Sequence, residues 1–189
     1  MTLRIARAPA LVALLVALSS PAAAQTSRPE EFPFAVGAGG FAVTDTGRAA
    51  DVKAFSTGGF EAFGEVTLEP NVSLQVRYEN FLLPGSAAGA PRVKVNAGSL
   101  SVGYVFREAW WQAGFFGGVG VYGLSPRKPA AGQLPADISE TVIGWYGGVR
   151  TIFELAPRWD LRVEAAGYLL RTDANHKPIT LGGSVAYHF

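Results

Sequence analysis

The chain contains no cysteine. That excludes a disulfide framework, thiolate-based metal and redox sites, and a lipid-bearing cysteine at a leader cleavage site. Charge is scarce as well. Asp, Glu, Lys and Arg make up 16% of residues, against about a quarter in a soluble globular domain, so much of the surface is expected to face something other than water. Long apolar runs are also missing: beyond the N-terminal segment no stretch of about 18 apolar residues exists, which rules out a membrane-spanning helix. Neither sign of charge dominates, with 16 basic against 15 acidic side chains. No basic footprint for nucleic acid is therefore expected.

The N-terminus reads as an export signal. Arg4 and Arg7 form a basic start, "ALVALLVAL" supplies an apolar run of signal-peptide length, and "SPAAAQ" offers small residues for cleavage before Gln25. Residues 1–24 are thus expected to be removed, leaving 25–189 as one domain. The leader takes away two basic groups and no acidic one, so the mature chain is close to neutral.

What remains is rich in glycine (23 in the whole chain) and aromatics (12%), and it alternates. Eight segments with period-two patterning fall near 33–43, 57–68, 72–81, 93–106, 110–123, 140–155, 159–172 and 179–189. The connections "EPN", "REAW" and "APR" are tight turns. "TDTGRAADVKAFS", "LLPGSAAGAPR", "SPRKPAAGQLPADIS" and "DANHKP" are longer. With no helix available, strands can cross a bilayer only as a closed barrel. Short turns on one side and long loops on the other match an outer-membrane barrel whose termini lie on the periplasmic side.

Each tight turn tests the register. Leu68 opposite Val72 turns Glu65, Gln75, Arg77 and Glu79 inward and Val66, Leu74, Val76 and Tyr78 outward. Phe106 opposite Trp111 places Tyr104, Val102, Ala113 and Phe115 outside. Leu155 opposite Trp159 puts Phe153, Leu161 and Val163 outside and Arg150, Glu154, Arg162 and Glu164 inside. The three turns agree on one apolar exterior, although a slip of one residue would invert every assignment.

The C-terminal "TLGGSVAYHF" alternates as well, with Phe189, Tyr187, Val185 and Leu181 on one face. Together with the leader and eight short strands, this ending resembles the small outer-membrane β-barrels of the OmpA and OmpX type. The resemblance covers nearly the whole mature chain and implies an all-β, eight-stranded, antiparallel up-and-down transmembrane barrel in the Gram-negative outer membrane. It also implies that Tyr187 and Phe189 form the signal read by the barrel-assembly machinery. With nothing after Phe189, a barrel-only member is expected, without a peptidoglycan-binding domain.

The inward charges Glu61, Glu65, Arg77, Glu79, Arg150, Glu154, Arg162 and Glu164 are the main chemical clue. Glu61 and Glu65 are expected to lie diagonally across from Arg77, and Arg150 opposite Glu164. An eight-stranded barrel is just wide enough for side chains, and charges there are costly unless paired. The first expectation is therefore an ionic plug. A gated narrow pore and a catalytic carboxylate pair are its alternatives.

Other motifs carry less. Some small outer-membrane barrels are lipid A deacylases or acyltransferases, and the deacylases carry His and Ser two residues apart on one strand. Here Pro178 follows His176 by two and Ala186 precedes His188 by two, so the motif is absent. His176 is expected in a loop and His188 as a lumen or interface filler. The glycine clusters "AVGAGGF", "FFGGVGVYG" and "WYGGV" are not followed by a Lys-Ser or Lys-Thr pair and do not form a phosphate loop; they are expected to relieve crowding in a small barrel. Aromatics fall into two bands: Phe34, Phe106, Trp111, Phe153, Trp159, Tyr187 and Phe189 near short turns, and Phe60, Phe81, Tyr122 and Trp145 toward the long loops.

The function expected is that of an integral outer-membrane barrel, not an enzyme, with a structural or surface-interaction role through its long loops. A narrow solute pore, a lipid-modifying enzyme and a secreted lipocalin-like barrel are the alternatives. No metal or cofactor is expected. The expected partners are outer-membrane lipid, the assembly machinery and an extracellular ligand of unidentified class, and the expected state is a monomer.

Overall fold

The computed structural model describes residues 32–46, 57–83, 92–107, 111–126, 140–172 and 176–189. The expected leader, the bodies of the four long loops and residues 108–110 of the "REAW" turn lie outside the described residues. The elements are β1 (Phe34–Asp45), β2 (Thr57–Glu69), β3 (Val72–Leu83), β4 (Val93–Arg107), β5 (Trp111–Pro126), β6 (Glu140–Ala156), β7 (Trp159–Leu170) and β8 (Pro178–His188). Every neighbour pair is antiparallel, and β1 pairs with β8 from Ala35↔His188 to Asp45↔Pro178. The sheet is a closed barrel in sequence order. Closure satisfies the backbone of both terminal strands, which a bilayer could not do.

Alternation decides which side chains fill the lumen. On β3, Ser73, Gln75, Arg77, Glu79, Phe81 and Leu83 are buried, while Val76 (62% exposed) and Tyr78 face outward. Ile143, Trp145, Val149 and Leu169 likewise stand on the outer wall. An apolar exterior around a charged interior inverts the soluble pattern, and it is the arrangement that lipid on the outside requires.

Two of the tight turns are shorter than expected. A bulge at Leu68 lets Glu69 pair with Val72, so that Pro70 and Asn71 alone make the turn. A bulge at Leu155 lets Ala156 pair with Trp159. In both cases the ladder beyond the bulge keeps the expected register, with Val66↔Leu74 and Phe153↔Leu161. At the third turn the register differs: Phe106 pairs with Ala113, not with Trp111. This is a shift of two residues, one full period, so every side chain keeps its face.

Inward glycines make room for the large interior groups. A Cβ on Gly37 would lie 2.3 Å from Cζ of Phe63, and one on Gly148 would lie 2.0 Å from the Ala165 carbonyl oxygen. On the outer wall, a Cβ on Gly98 or Gly167 would meet nothing within 4 Å.

Candidate functional site: the filled lumen

The lumen has two tiers. The lower tier, toward the termini, holds alternating charges contributed by β2, β3, β6, β7 and β8. His188 Nε2 lies 2.5 Å from Asp160 Oδ2, and Asp160 lies 3.5 Å from Arg162 Nη2. Arg162 Nη1 donates to Glu65 at 3.0 Å, and Arg150 Nη1 donates to the same Glu65 oxygen at 2.8 Å. Arg150 Nε stands 3.6 Å from Glu164, whose other oxygen accepts from Arg77 Nη2 at 2.6 Å. Arg77 Nη1 reaches Glu61 at 3.0 Å and Glu79 at 3.8 Å, and the Tyr168 hydroxyl donates to Glu79 at 2.6 Å. The result is a chain of opposite charges running from the periplasmic end to the barrel middle. Strict alternation of sign keeps each buried charge beside a partner, the condition under which such groups are tolerated.

The arginines are also stacked. Arg77 lies 5.4 Å from the Phe116 ring centre, Arg150 lies 4.8 Å from the same ring, and Arg162 lies 4.9 Å from Phe63. Flat guanidinium groups suit both bidentate pairing and ring faces, which lysine would not.

Arg77 meets Glu61 and Arg150 faces Glu164, the pairs read along the strands, but the place of Glu65 differs. Glu65 was expected near Arg77, but it bridges Arg150 and Arg162 from across the barrel, and Gln75 stands between it and Arg77. Gln75 accepts from Arg77 Nη2 at 2.7 Å and donates to Glu65 at 3.4 Å. Glu154 lies lower, where it accepts from Gln112 at 3.3 Å. Sequence reasoning placed Gln75 inward without giving it a role, and passed over Asp160 and Tyr168. Asp160 and Gln75 share the inward parity of Arg162 and Arg77, so a signal was present.

The upper tier is apolar. Val43, Phe81, Leu83, Val95, Ala97, Phe116, Tyr122, Leu124, Val142, Tyr146, Ala166, Tyr168 and Leu170 form one buried cluster. Phe81 (1% exposed) and Tyr122 (0%) were expected in the outer aromatic band; both point inward. They share parity with Glu79 and with the inward glycines of β5, and inside the barrel they pack on Tyr168 at ring distances of 6.0 and 6.1 Å. Phe60 and Trp145 do face outward.

The two histidines mark the ends of β8. His176, expected as a plain loop residue, is buried just before the strand, with Nδ1 2.5 Å from Asp45 Oδ2. Asp45 Oδ1 also accepts from the Lys177 backbone N–H at 2.9 Å, which ties the upper end of β8 to β1. At the lower end the Phe189 N–H donates to the Phe34 carbonyl at 2.9 Å, and the two rings stack 6.1 Å apart.

An all-β closed barrel with an apolar outer wall, aromatic bands and a charged lumen defines an integral outer-membrane protein of the small eight-stranded class. In agreement, the family of the outer membrane protein beta-barrel domain matches residues 10–189, and the chain belongs to it. It resides in the outer membrane of the Gram-negative envelope. Comparison with curated proteins finds no match. Among solved structures, neisserial surface protein A is similar at 15% identity, with a TM-score of 0.64 over 83% of this chain and 97% of that one. The attachment invasion locus protein Ail of Yersinia pestis, in complex with the heparin analogue sucrose octasulfate, is similar at 13% identity, with a TM-score of 0.59 over 82% and 97%. The N-terminal barrel of OprF from Pseudomonas aeruginosa is similar at 11% identity, with a TM-score of 0.59 over 82% and 97%. At these identities the likeness is one of fold.

Proposed function

We propose that this protein is a closed barrel that acts through its outer surface and loops, in a structural or surface-interaction role, and neither conducts solutes nor catalyses a reaction. The observation that carries this reading is the filled lumen, in which an ionic chain occupies the lower half and a continuous apolar cluster occupies the upper half. A solute would have to separate paired charges and then cross a dry layer of Phe81, Tyr122 and Tyr168. The barrel works as a monomer in outer-membrane lipid, delivered by the assembly machinery through Tyr187 and Phe189.

One observation favours the narrow pore as a second reading. Arg150 Nη2, Arg162 Nη2 and Glu79 Oε2 are buried without a hydrogen-bond partner, and such atoms suit water in the ionic tier. Conductance of the refolded mature chain in planar bilayers separates the two. The closed reading expects no channel steps for the native sequence and steps for a Phe81→Ala/Tyr122→Ala variant, which thins the apolar tier. Steady steps from the native sequence would establish the pore.

A further inference from the structure

The outer wall carries a second polar feature that the lumen does not explain. Among the described residues, the lipid-facing positions in the upper halves of the eight strands hold no acidic side chain. Cations gather at the loop end, where Arg92 and Lys94 continue the outward parity of β4 and both are exposed. Neither forms an ion pair among the described residues. Directly below Lys94 on the same face stands Asn96, which pairs in register with Asn80 of β3. The Asn80 amide donates to the Asn96 side-chain oxygen at 2.5 Å, and the Tyr78 hydroxyl donates to the same oxygen at 3.4 Å. Three hydrogen-bonding side chains on a wall that otherwise faces hydrocarbon are expensive there unless something polar meets them. Because its oxygen is already taken, Asn96 is left with its amide N–H donors to offer.

The surface around Asn96 is bare. Gly98 lies below it with nothing within 4 Å of a Cβ position, and Gly123 of β5 pairs with Asn96 in register. Height can be read from β4. Tyr104, whose ring packs 5.2 Å from Phe106 of the lower aromatic band, precedes Asn96 by eight positions going up the strand. At a rise of about 3.3 Å per residue and a tilt of about 40°, that is about 20 Å along the membrane normal, and Lys94 is about 5 Å higher. The apolar band of such barrels is about 25 Å tall. Asn80 also pairs with Phe60 of the upper aromatic belt. The amides thus lie at the upper edge of the hydrocarbon, and the two cations lie at the level of the lipid headgroups.

We infer that Arg92, Lys94, Asn80 and Asn96 form a binding site on the outer wall for a phosphate-bearing glycolipid of the outer leaflet, with the cations on the phosphate and the amides on the sugar or acyl-linkage oxygens beneath it. A cation pair above an amide pair matches a headgroup with charge at the top and carbonyls below. A soluble anion would gain nothing from donors set at hydrocarbon depth. The site does not depend on whether the lumen is closed.

The test uses the folded mature chain in phosphatidylcholine nanodiscs, with fluorescent lipopolysaccharide as the probe. The variants are Arg92→Ala/Lys94→Ala, Asn96→Leu, and Arg158→Ala at the periplasmic turn as a control, each checked for folding by its mobility on an unboiled gel. At about 1 kcal/mol per interfacial cation, the double variant is expected to bind about 30-fold more weakly, and Asn96→Leu to bind more weakly than wild type. Arg158→Ala should bind as wild type does, and dephosphorylated lipopolysaccharide should be held as poorly by wild type as by the double variant. Equal binding by wild type and the double variant overturns the site. So does full competition by millimolar inorganic phosphate, which would mean that a free anion suffices.

Discussion

Replacing Arg77 with alanine removes a cation that joins three carboxylates. Its guanidinium lies 3.0 Å from Glu61, 2.6 Å from Glu164 and 3.8 Å from Glu79, and it is 3% exposed. Glu164 keeps Arg150 at 3.6 Å, but Glu61 has no other ion-pair partner among the described residues. Breaking a single buried pair costs about 3 to 5 kcal/mol in soluble proteins, and the lost stacking on Phe116 and Tyr146 adds about 0.5 to 2 kcal/mol. Together these give a loss of about 3.5 to 7 kcal/mol. At a urea slope of about 2 kcal/mol/M the unfolding midpoint would drop by roughly 2 to 3.5 M. The assay is urea unfolding in thin-bilayer vesicles, followed by tryptophan fluorescence and by the folded band on an unboiled gel. Glu61→Gln should be destabilising in the native background, yet neutral or helpful beside Arg77→Ala, because it then removes a stranded charge. A midpoint for Arg77→Ala within error of wild type, or the same cost for Glu61→Gln in both backgrounds, would refute the alternating-charge reasoning.

Three further outcomes are expected. Gly148→Ala, whose new Cβ would meet the Ala165 carbonyl at 2.0 Å, should lose about 1 to 3 kcal/mol through overpacking, whereas Gly98→Ala on the open outer wall should unfold at the wild-type midpoint in the same assay. Phe189→Asp should reduce the folded band in cells far more than it reduces refolding into detergent, with His188→Ala as the comparison. The ring is 54% exposed and contributes little burial, so a normal yield in cells would rule out a role in assembly. Mass spectrometry of protein extracted from the envelope should find a chain that begins at Gln25, and an intact Met1 would remove the leader from the account.

Strand number, strand faces and closure were written in the local sequence. A period of two is carried by each strand alone, and Val66, Leu74, Val76, Phe153, Leu161 and Val163 stand outside as parity required. This robustness extends to error: the β4–β5 ladder is displaced by two residues from the expected pairing, yet no face changed, because two is the period. The bulges at Leu68 and Leu155 were not legible, since one extra residue beside a turn leaves the hydropathy pattern intact. Phe81 and Tyr122 were legible but were outweighed. Their parity points inward, while their chemistry resembles that of the outer aromatic belt, and only the packing around Tyr168 resolves the conflict.

What the tertiary structure alone decided is which charges meet across the lumen, beyond the neighbouring-strand pairs Arg77–Glu61 and Arg150–Glu164. Arg77 on β3 reaches Glu164 on β7, and Glu65 on β2 gathers Arg150 and Arg162 from β6 and β7. These contacts run across the lumen, and their choice depends on barrel diameter, strand tilt and stagger, which are properties of the closed sheet and of no single strand. The same holds for His176, whose polar loop setting gave no hint that Asp45 of β1 would stand beside it once the first and last strands closed the barrel. Local alternation settles which way a side chain points, and closure settles what it finds there.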